Sequence, residues 1–188
     1  MKNKLILASK SKVRKDILKS QNIEFIVEPS YVDEDVIKNS LIKEGATPEI
    51  ISQNLAEIKA QKISQKNPEQ LVLGADSVID LENEIISKPE SRNEALQILK
   101  NLNGKKHYLI SSVCIAKNGS MIWNYTDKAV LTMKNMTNQE LINYLEKISD
   151  ANLYAYNVYQ IEGEGKNLFS SIEAVSYTHL TLPTKRIV

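Results

Sequence analysis

The sequence predicts an α/β domain built on a mixed β-sheet with flanking helices. In the first half of the chain, short apolar strand patterns alternate with amphipathic helix patterns, which is typical of parallel βαβ units. In the second half, two long strand patterns flank Asn118-Gly119, a dipeptide typical of tight hairpins. Because a hairpin adds antiparallel strands, the sheet is expected to be mixed and not purely parallel.

The first half of the chain predicts three strands and two helices. Residues 4–8 and 24–28 match strands, and residues 11–20 between them match a short helix. Thr47-Pro48 is a strong helix start, because threonine caps and proline suits the first turn, and apolar spacing continues that helix to about Gln65. Residues 71–79 are apolar on both faces, which predicts a central strand.

The second half predicts six further elements. They are a short strand at 84–87, a helix over 91–104, two strands at 106–117 and 120–134, a helix over 137–148 and a last strand at 168–172. Both helices open with a capping-box pattern, Ser91 with Glu94 and Thr137 with Glu140. The polar stretch before the last strand is expected to be a loop.

The composition is that of one ordinary globular domain. The chain has 188 residues, of which 42% are hydrophobic and 25% are charged, and its net charge is +1. This charge does not favour a nucleic acid, and no apolar stretch is long enough to span a membrane. Cys114 is the single cysteine and is expected to be a buried free thiol. With no signal-peptide pattern, we expect a cytoplasmic protein with neither nucleic acid nor membrane as partner.

The turn after the first strand has the features of an anion site. Ser9 and Ser11 follow an apolar run, and Arg14 lies in the first turn of the predicted helix. A helix N-terminus presents free N–H groups and a positive dipole end, which together favour a phosphate. Serines before a helix are also ordinary caps, so a phosphate site and plain capping both remain open.

Asp76 is the strongest candidate for a catalytic residue. A carboxylate inside an apolar strand must be paired, bound to a metal or hydrogen-bonded, because desolvation is costly. Gly74, two residues earlier, allows a ligand or another backbone to approach closely. The alternative is a structural aspartate that is satisfied at the end of the strand.

Three other charged residues are candidates only in combination with Asp76. Lys88 follows a predicted strand and Lys59 lies beside an apolar helix stripe, and in isolation each is expected to be a solvated or snorkelling lysine. Glu34 stands in an acidic run that is either a solvated loop or a ligand for Mg²⁺, which prefers one or two carboxylates plus phosphate oxygens. His107 and His179 are assigned no role.

These motifs, in this order, resemble the Maf family of nucleoside triphosphate pyrophosphatases. The resemblance covers roughly residues 3–173, and its short motifs are specific as an ordered set. They are Leu7-Ala8-Ser9-x-Ser11-x-x-Arg14, Asp33-Glu34, Ala56-x-x-Lys59-Ala60, Leu73-Gly74-Ala75-Asp76-Ser77-Val78, Ile86-x-Lys88-Pro89, Leu99-x-x-Leu102-x-Gly104-x-x-His107 and Glu162-Gly163-x-Gly165.

The resemblance implies a fold, an activity and a set of roles. The family fold has two lobes around a cleft, in the inosine-triphosphatase-like class. The family hydrolyses nucleoside triphosphates to the monophosphate and pyrophosphate with a divalent cation, Mg²⁺ or Mn²⁺, and so cleans the nucleotide pool. By resemblance, Asp76 is the catalytic carboxylate, and Asp76 and Glu34 are the metal ligands. The residues implied to contact the substrate are Ser9, Ser11, Arg14, Lys59, Lys88 and Glu162.

Two departures from the family pattern bear on the choice of base. Lys12 and Val13 replace the usual proline and first arginine, and Glu162 stands where a glutamine goes with the pyrimidine-preferring branch. A glutamate there goes with the branch that acts on 7-methylated guanosine triphosphate. A carboxylate can accept two neighbouring N–H donors of a guanine edge, whereas pyrimidine carbonyls would repel it. The resemblance therefore favours a guanine-type or modified-purine substrate.

The end of the chain departs further from the pattern. We expect a pyrophosphatase domain at residues 1–173 and an atypical tail at 174–188, which is either a non-native end or a divergent genuine terminus. A different function also remains open, a non-catalytic nucleotide-binding regulator of septum formation, although Asp76, Lys59 and Lys88 are all retained. Whether the chain forms a homodimer is left open as well.

Overall fold

The chain forms a mixed α/β fold in a computed structural model that describes residues 4–161 and 163–174. Its strands are β1 (Leu5–Leu7), β2 (Phe25–Val27), β3 (Val72–Leu81), β4 (Glu84–Ile86), β5 (Lys106–Lys117), β6 (Ser120–Met133) and β7 (Phe169–Ala174). Its helices are α1 (Lys12–Ser20), α2 (Glu34–Lys43), α3 (Pro48–Ser64), α4 (Arg92–Leu102), α5 (Asn138–Lys147) and α6 (Asp150–Tyr156), followed by a 3₁₀ helix at Glu164–Leu168. Glu162 and the predicted tail, apart from Ala174, lie outside the described residues.

The strands form the predicted mixed sheet. Their hydrogen-bonded order is β2-β1-β3-β5-β6-β7, and β4 pairs with β3 off this path. β1 runs parallel to both neighbours, with Leu7 opposite Val27 on one side and opposite Leu73 on the other. β4 is antiparallel to β3, and β7 is antiparallel to β6. Asn118 and Gly119 join β5 to β6 with φ angles of 52° and 76°, the positive values that the hairpin pattern predicts.

The described residues divide into two compact units. The first comprises residues 4–77 and 110–127, and the second comprises residues 78–109 and 128–174. In the first unit, α3 is buried along one side, where Ala56 and Ala60 pack with Cys114 and Ala116 of β5. Cys114 is the buried free thiol that the sequence predicts, and burial raises the pKa of this thiol to about 11, which makes it unreactive.

The second unit has the larger apolar core. It gathers leucines from α4, α5, α6 and the ends of β3 and β6, and its fully buried members include Leu99, Leu102, Leu131, Leu141 and Leu153. Arg92 links α4 to the end of α5, donating hydrogen bonds of 2.8 Å to the carbonyl oxygens of Leu145 and Ile148. The Leu145 carbonyl also accepts from the N–H of Ile148, the C-cap residue, at 3.1 Å, so the guanidinium adds to the cap of α5.

Two helices were not predicted. α2 begins at its cap, Asp33, in the acidic run, and it has no buried residue, so no core-facing apolar stripe shows in the sequence. α6 replaces part of the expected polar loop and is only one or two turns long, ending at Asn157 with a φ of 68°. None of the helices in the described part of the chain is long and apolar enough to cross a membrane.

One of the two predicted capping boxes is complete. Thr137 and Glu140 satisfy each other's backbone N–H groups at the start of α5. At α4, Ser91 caps the N–H of Glu94, but the Glu94 carboxylate accepts from the N–H of Glu90, one residue further back. The helix start was therefore correct, and the second half of its box was wrong.

His107, to which no role was assigned, lies in an aromatic cluster of the second unit. Its Nε2 is 3.0 Å from the Tyr159 hydroxyl, and the His107 and Tyr159 rings both pack near Phe169. The imidazole is fully buried, and this burial lowers the pKa of His107 from 6.5 to about 4. Below pH 6.5 the unfolded chain therefore binds a proton that the folded chain does not.

We expect His107 to make the protein less stable as the pH falls. Its contribution is fully present above pH 6.5 and is lost progressively between pH 6.5 and about 4, by at most about 3 kcal/mol. Urea unfolding of the protein and of His107→Gln across this range measures the difference, with glutamine able to keep a hydrogen bond to Tyr159. Equal pH dependence in the two proteins would contradict the assignment.

Candidate active site

The carboxyl ends of two parallel strands, β2 and β1, lie beside the first half of a third, β3, in the first unit. β2, β1 and β3 are neighbours in that order, and the amide of Ala8 donates to the carbonyl of Leu73 at 2.8 Å. The amide of Glu28 donates to the carbonyl of Leu7 in the same way, at 3.1 Å. Because β2 and β1 end at one edge of the sheet, the segments that follow them meet there, beside the part of β3 that contains Asp76, and such edges are where α/β folds bind ligands.

The turn after β1 combines capping with a polar cluster. The Ser11 hydroxyl accepts from the N–H of Arg14 at 3.4 Å and so caps α1. The buried Ser9 hydroxyl accepts from the N–H of Ser11 and from Nη1 of Arg14, at 3.2 and 3.0 Å. Ser11 is thus a cap, and Ser9 holds the guanidinium of Arg14 against the turn.

Lys59 joins two carboxylates at this edge. Its Nζ lies 2.7 Å from Oδ1 of Asp76 on β3 and 2.8 Å from Oε1 of Glu34 at the start of α2. Lys59 and Asp76 are both buried, and the Glu34 side chain is 31% exposed. Lys59 is therefore not the snorkelling lysine considered above, and Glu34 does not belong to a solvated loop.

Gly74 explains how α3 reaches this position. A Cβ atom on Gly74 would overlap the carbonyl oxygen of Ala56 and would lie 2.7 Å from the amide nitrogen of Ala60. The glycine therefore serves the close approach of another backbone, one of the two uses that the sequence left open. With α3 seated on β3, Lys59 points at Asp76, and the Ser52 hydroxyl donates to the Asp76 carbonyl oxygen at 3.4 Å.

The two carboxylate oxygens of Asp76 differ in their hydrogen bonding. Oδ1 accepts from Lys59, whereas Oδ2 is buried and has no hydrogen-bond partner among the described residues. An unpartnered carboxylate oxygen is costly in an apolar setting unless a ligand, a proton or a cation meets it.

The two carboxylates fit a divalent cation such as Mg²⁺ or Mn²⁺. Both supply hard oxygen donors, which Mg²⁺ and Mn²⁺ prefer as ligands. No set of three or more histidine, cysteine, aspartate or glutamate side chains is gathered for a metal in residues 4–161 and 163–174. Phosphate oxygens and water would therefore complete the coordination, as is usual for Mg²⁺.

Two predicted site residues, Lys88 and Glu162, lie outside the described part of the first unit. Lys88 follows β4 in the second unit and is exposed, with no ion pair to any residue that the structure describes. Glu162 lies outside the described residues. Ser52 was missed, although its position seven residues before Lys59 puts both on one face of α3, a signal that the sequence contained.

Replacing Lys59 with methionine is expected to destabilise the protein by about 3 kcal/mol. The Glu34 and Asp76 carboxylates would then face each other without their shared cation, and breaking a buried ion pair costs about this much. Mg²⁺ or Mn²⁺ should restore part of the loss, so its effect on Tm should be larger in Lys59→Met than in the wild type.

The matched control for this change is Lys62→Met. Lys62 lies on the same helix and donates only to the exposed carbonyl of Tyr31. Differential scanning fluorimetry with EDTA and with added cation would measure both variants. If Lys59→Met were as stable as Lys62→Met in EDTA, the bridging role of Lys59 would be wrong.

Comparisons with known proteins identify the family of this chain. A family model described as Maf-like protein matches residues 4–188. A nucleoside triphosphate pyrophosphatase of Pelagibacter ubique (strain HTCC1062) is 70% identical over 187 residues, covering 100% of this chain and 96% of that protein. A 7-methyl-GTP pyrophosphatase of Brucella abortus biovar 1 (strain 9-941) is 37% identical over 180 residues, covering 96% of this chain and 90% of that protein.

Among solved structures, a HAM1 protein from Coxiella burnetii matches with a TM-score of 0.45 and 13% identity, over 69% of this chain and 72% of that chain. A structural likeness this distant carries no argument. The family model and the sequence relatives extend over nearly the whole chain. The chain therefore belongs to the family of Maf-like proteins.

Proposed function

We propose that this protein is a nucleoside triphosphate pyrophosphatase. It hydrolyses nucleoside triphosphates, modified ones included, to the monophosphate and pyrophosphate, and acts in the cytoplasm to clean the nucleotide pool. Membership of the family and the names of the relatives from Pelagibacter and Brucella support this proposal. The observation that carries it is the buried carboxylate of Asp76, with one oxygen held by Lys59 and the other without a partner.

Asp76 is the proposed general base. Its Oδ2 accepts a proton from a water molecule while Lys59 holds Oδ1, so the carboxylate cannot turn away. The water oxygen forms a bond to the α-phosphorus, the bond from that phosphorus to the bridging oxygen breaks, and pyrophosphate leaves. The products are one nucleoside monophosphate and one pyrophosphate.

The cationic residues are proposed to balance the charge of the triphosphate. Arg14 is held by Ser9 at the N-terminus of α1, where backbone N–H groups and the helix dipole also favour an anion. A divalent cation held by Asp76 and Glu34 would supply further charge neutralisation on the phosphates. Lys88 is proposed to contact the substrate as well, on the family motif alone.

The test is a panel of nucleoside triphosphates incubated with the purified protein and Mg²⁺ or Mn²⁺. We expect pyrophosphate and monophosphate as products, and loss of turnover in EDTA that added cation restores. Release of orthophosphate, or no turnover with any nucleotide, would refute the proposal. Nucleotide binding without turnover would favour the alternative, a non-catalytic regulator of septum formation.

The base preference is a finer proposal within the same function. We propose a guanine-type or 7-methylated purine substrate, which the family pattern at Glu162 and Val13 and the name of the Brucella relative support. Comparing kcat/KM for 7-methyl-GTP, GTP, dTTP and UTP tests it. A mismatched carboxylate costs about 1–3 kcal/mol, so we expect roughly 5- to 150-fold discrimination. A preference for dTTP or UTP would show that Glu162 does not read the base this way.

A further inference from the structure

Tyr31 is an exposed aromatic residue for which the proposed reaction gives no role. It lies between β2 and α2, three residues before Glu34, and 73% of its surface is exposed. Its neighbour Ser30 is buried, so the segment itself is seated on the unit while the tyrosine ring projects outward. A tyrosine this exposed gains little from packing, which leaves its position without a structural reason.

The backbone at Tyr31 is held in an unfavourable conformation. Its φ angle is 45°, in the left-handed region that residues other than glycine and asparagine rarely adopt. Lys62 on α3 donates a 2.8 Å hydrogen bond to the Tyr31 carbonyl oxygen, which fixes the peptide. Strain of this kind persists where the surrounding structure imposes it, and it concentrates at ligand sites.

The ring is also held beside the candidate active site. Nζ of Lys10, from the turn that contains Ser9, lies 4.2 Å from the centroid of the Tyr31 ring. The same segment continues into Glu34, whose carboxylate binds Lys59. The ring of Tyr31 thus contacts the turn proposed to hold phosphates, and its segment leads within three residues to a carboxylate proposed to hold the cation.

We propose that Tyr31 is the stacking platform for the base of the bound nucleotide. This inference rests on the proposed function, since the ligand is the same nucleoside triphosphate. Lys10 covers one face of the ring, and the exposure of the residue leaves the opposite face open to a planar ring. Stacking on an aromatic side chain accepts any base, because every base has a π-face, and it adds affinity independently of hydrogen bonds to the base edge.

The surroundings favour a nucleotide over a protein partner. A flat aromatic ring in contact with the ammonium of Lys10 matches a molecule that joins a π-system to an anionic chain. A 7-methylated guanine carries a positive charge and is drawn to the negative face of a tyrosine ring. Tyr31 would thus strengthen the binding of that base without making the hydrogen bonds that select it.

Three variants and two ligands test the platform by isothermal titration calorimetry with Mg²⁺. The variants are Tyr31→Phe, which keeps the ring, Tyr31→Ala, which removes it, and Tyr31→Gly, which also relieves the positive φ. The ligands are the α,β-methylene analogue of GTP, which is not hydrolysed at the reacting bond, and inorganic tripolyphosphate, which has no base. Trp123→Ala is the control, because Trp123 is an exposed aromatic residue of the same unit near the β5–β6 hairpin.

We expect Tyr31→Ala and Tyr31→Gly to raise the Kd of the GTP analogue roughly 5- to 150-fold. Tyr31→Phe and Trp123→Ala should bind it as the wild type does, and the Kd of tripolyphosphate should not change in any variant. Unchanged binding of the analogue by Tyr31→Ala, or an equal loss for tripolyphosphate, would overturn the platform. Wild-type protein that binds GTP through Tyr31 without hydrolysing it would refute the pyrophosphatase activity and leave the platform intact.

Discussion

Asp76→Asn is expected to lower kcat for pyrophosphate release by at least about 10²-fold, the low end for loss of a general base. Asparagine has the same shape but accepts no proton from water. The fold should survive, because Lys59 keeps its ion pair with Glu34 and the asparagine oxygen can still accept from Lys59. Steady-state kinetics with Mg²⁺, together with Tm and circular dichroism, would measure both effects.

The matched control for Asp76→Asn is Asp80→Asn. Asp80 is another buried aspartate on the same strand, but it belongs to the second unit. It accepts from the N–H of Asn83 at 2.9 Å and lies 3.9 Å from Nζ of Lys128, so its role is structural. We expect this variant to keep kcat near the wild-type value. Similar activity in Asp76→Asn and the wild type would assign Asp76 to structure.

Gly74→Ala is expected to destabilise the protein by at least about 3 kcal/mol, which corresponds to a fall in Tm of about 6–12 °C. The new methyl group would meet the backbone of α3 at Ala56 and Ala60, and a helix backbone cannot yield as a flexible side chain can. Moving α3 away from β3 would also separate Lys59 from Asp76. We therefore expect a loss of activity that a lower assay temperature does not fully recover.

Gly45→Ala separates this steric effect from the loss of glycine flexibility. Gly45 has a φ of 78°, and a Cβ atom there would meet nothing within 4 Å. Replacing it with alanine should lower the free energy of unfolding only by the cost of a positive φ angle in alanine, about 1 kcal/mol. Chemical unfolding of both variants would compare the two costs. If Gly74→Ala were no less stable than Gly45→Ala, the contact between α3 and β3 would be looser than described.

Local signals in the sequence predicted most of the fold. Asn118-Gly119 requires two positive φ angles and so specified the hairpin, and Thr47-Pro48 and Thr137 specified helix starts through their own hydrogen bonds. α2 escaped prediction because it buries no residue, and α6 because it is short. A helix that contributes no side chain to a core leaves no apolar period in the sequence.

In the candidate site, too, some features follow from the sequence and others only from the tertiary structure. The sequence by itself determined that Asp76 needs a partner, since a carboxylate in an apolar strand is costly alone. It also determined that the position of Gly74 allows a close approach by a ligand or another backbone. Only the tertiary structure decided that the partner is Lys59 and that the same ammonium also binds Glu34. Pairing of this kind depends on how closely α3 packs on β3 and on where α2 begins. Those are distances between elements, and no spacing along the chain contains them.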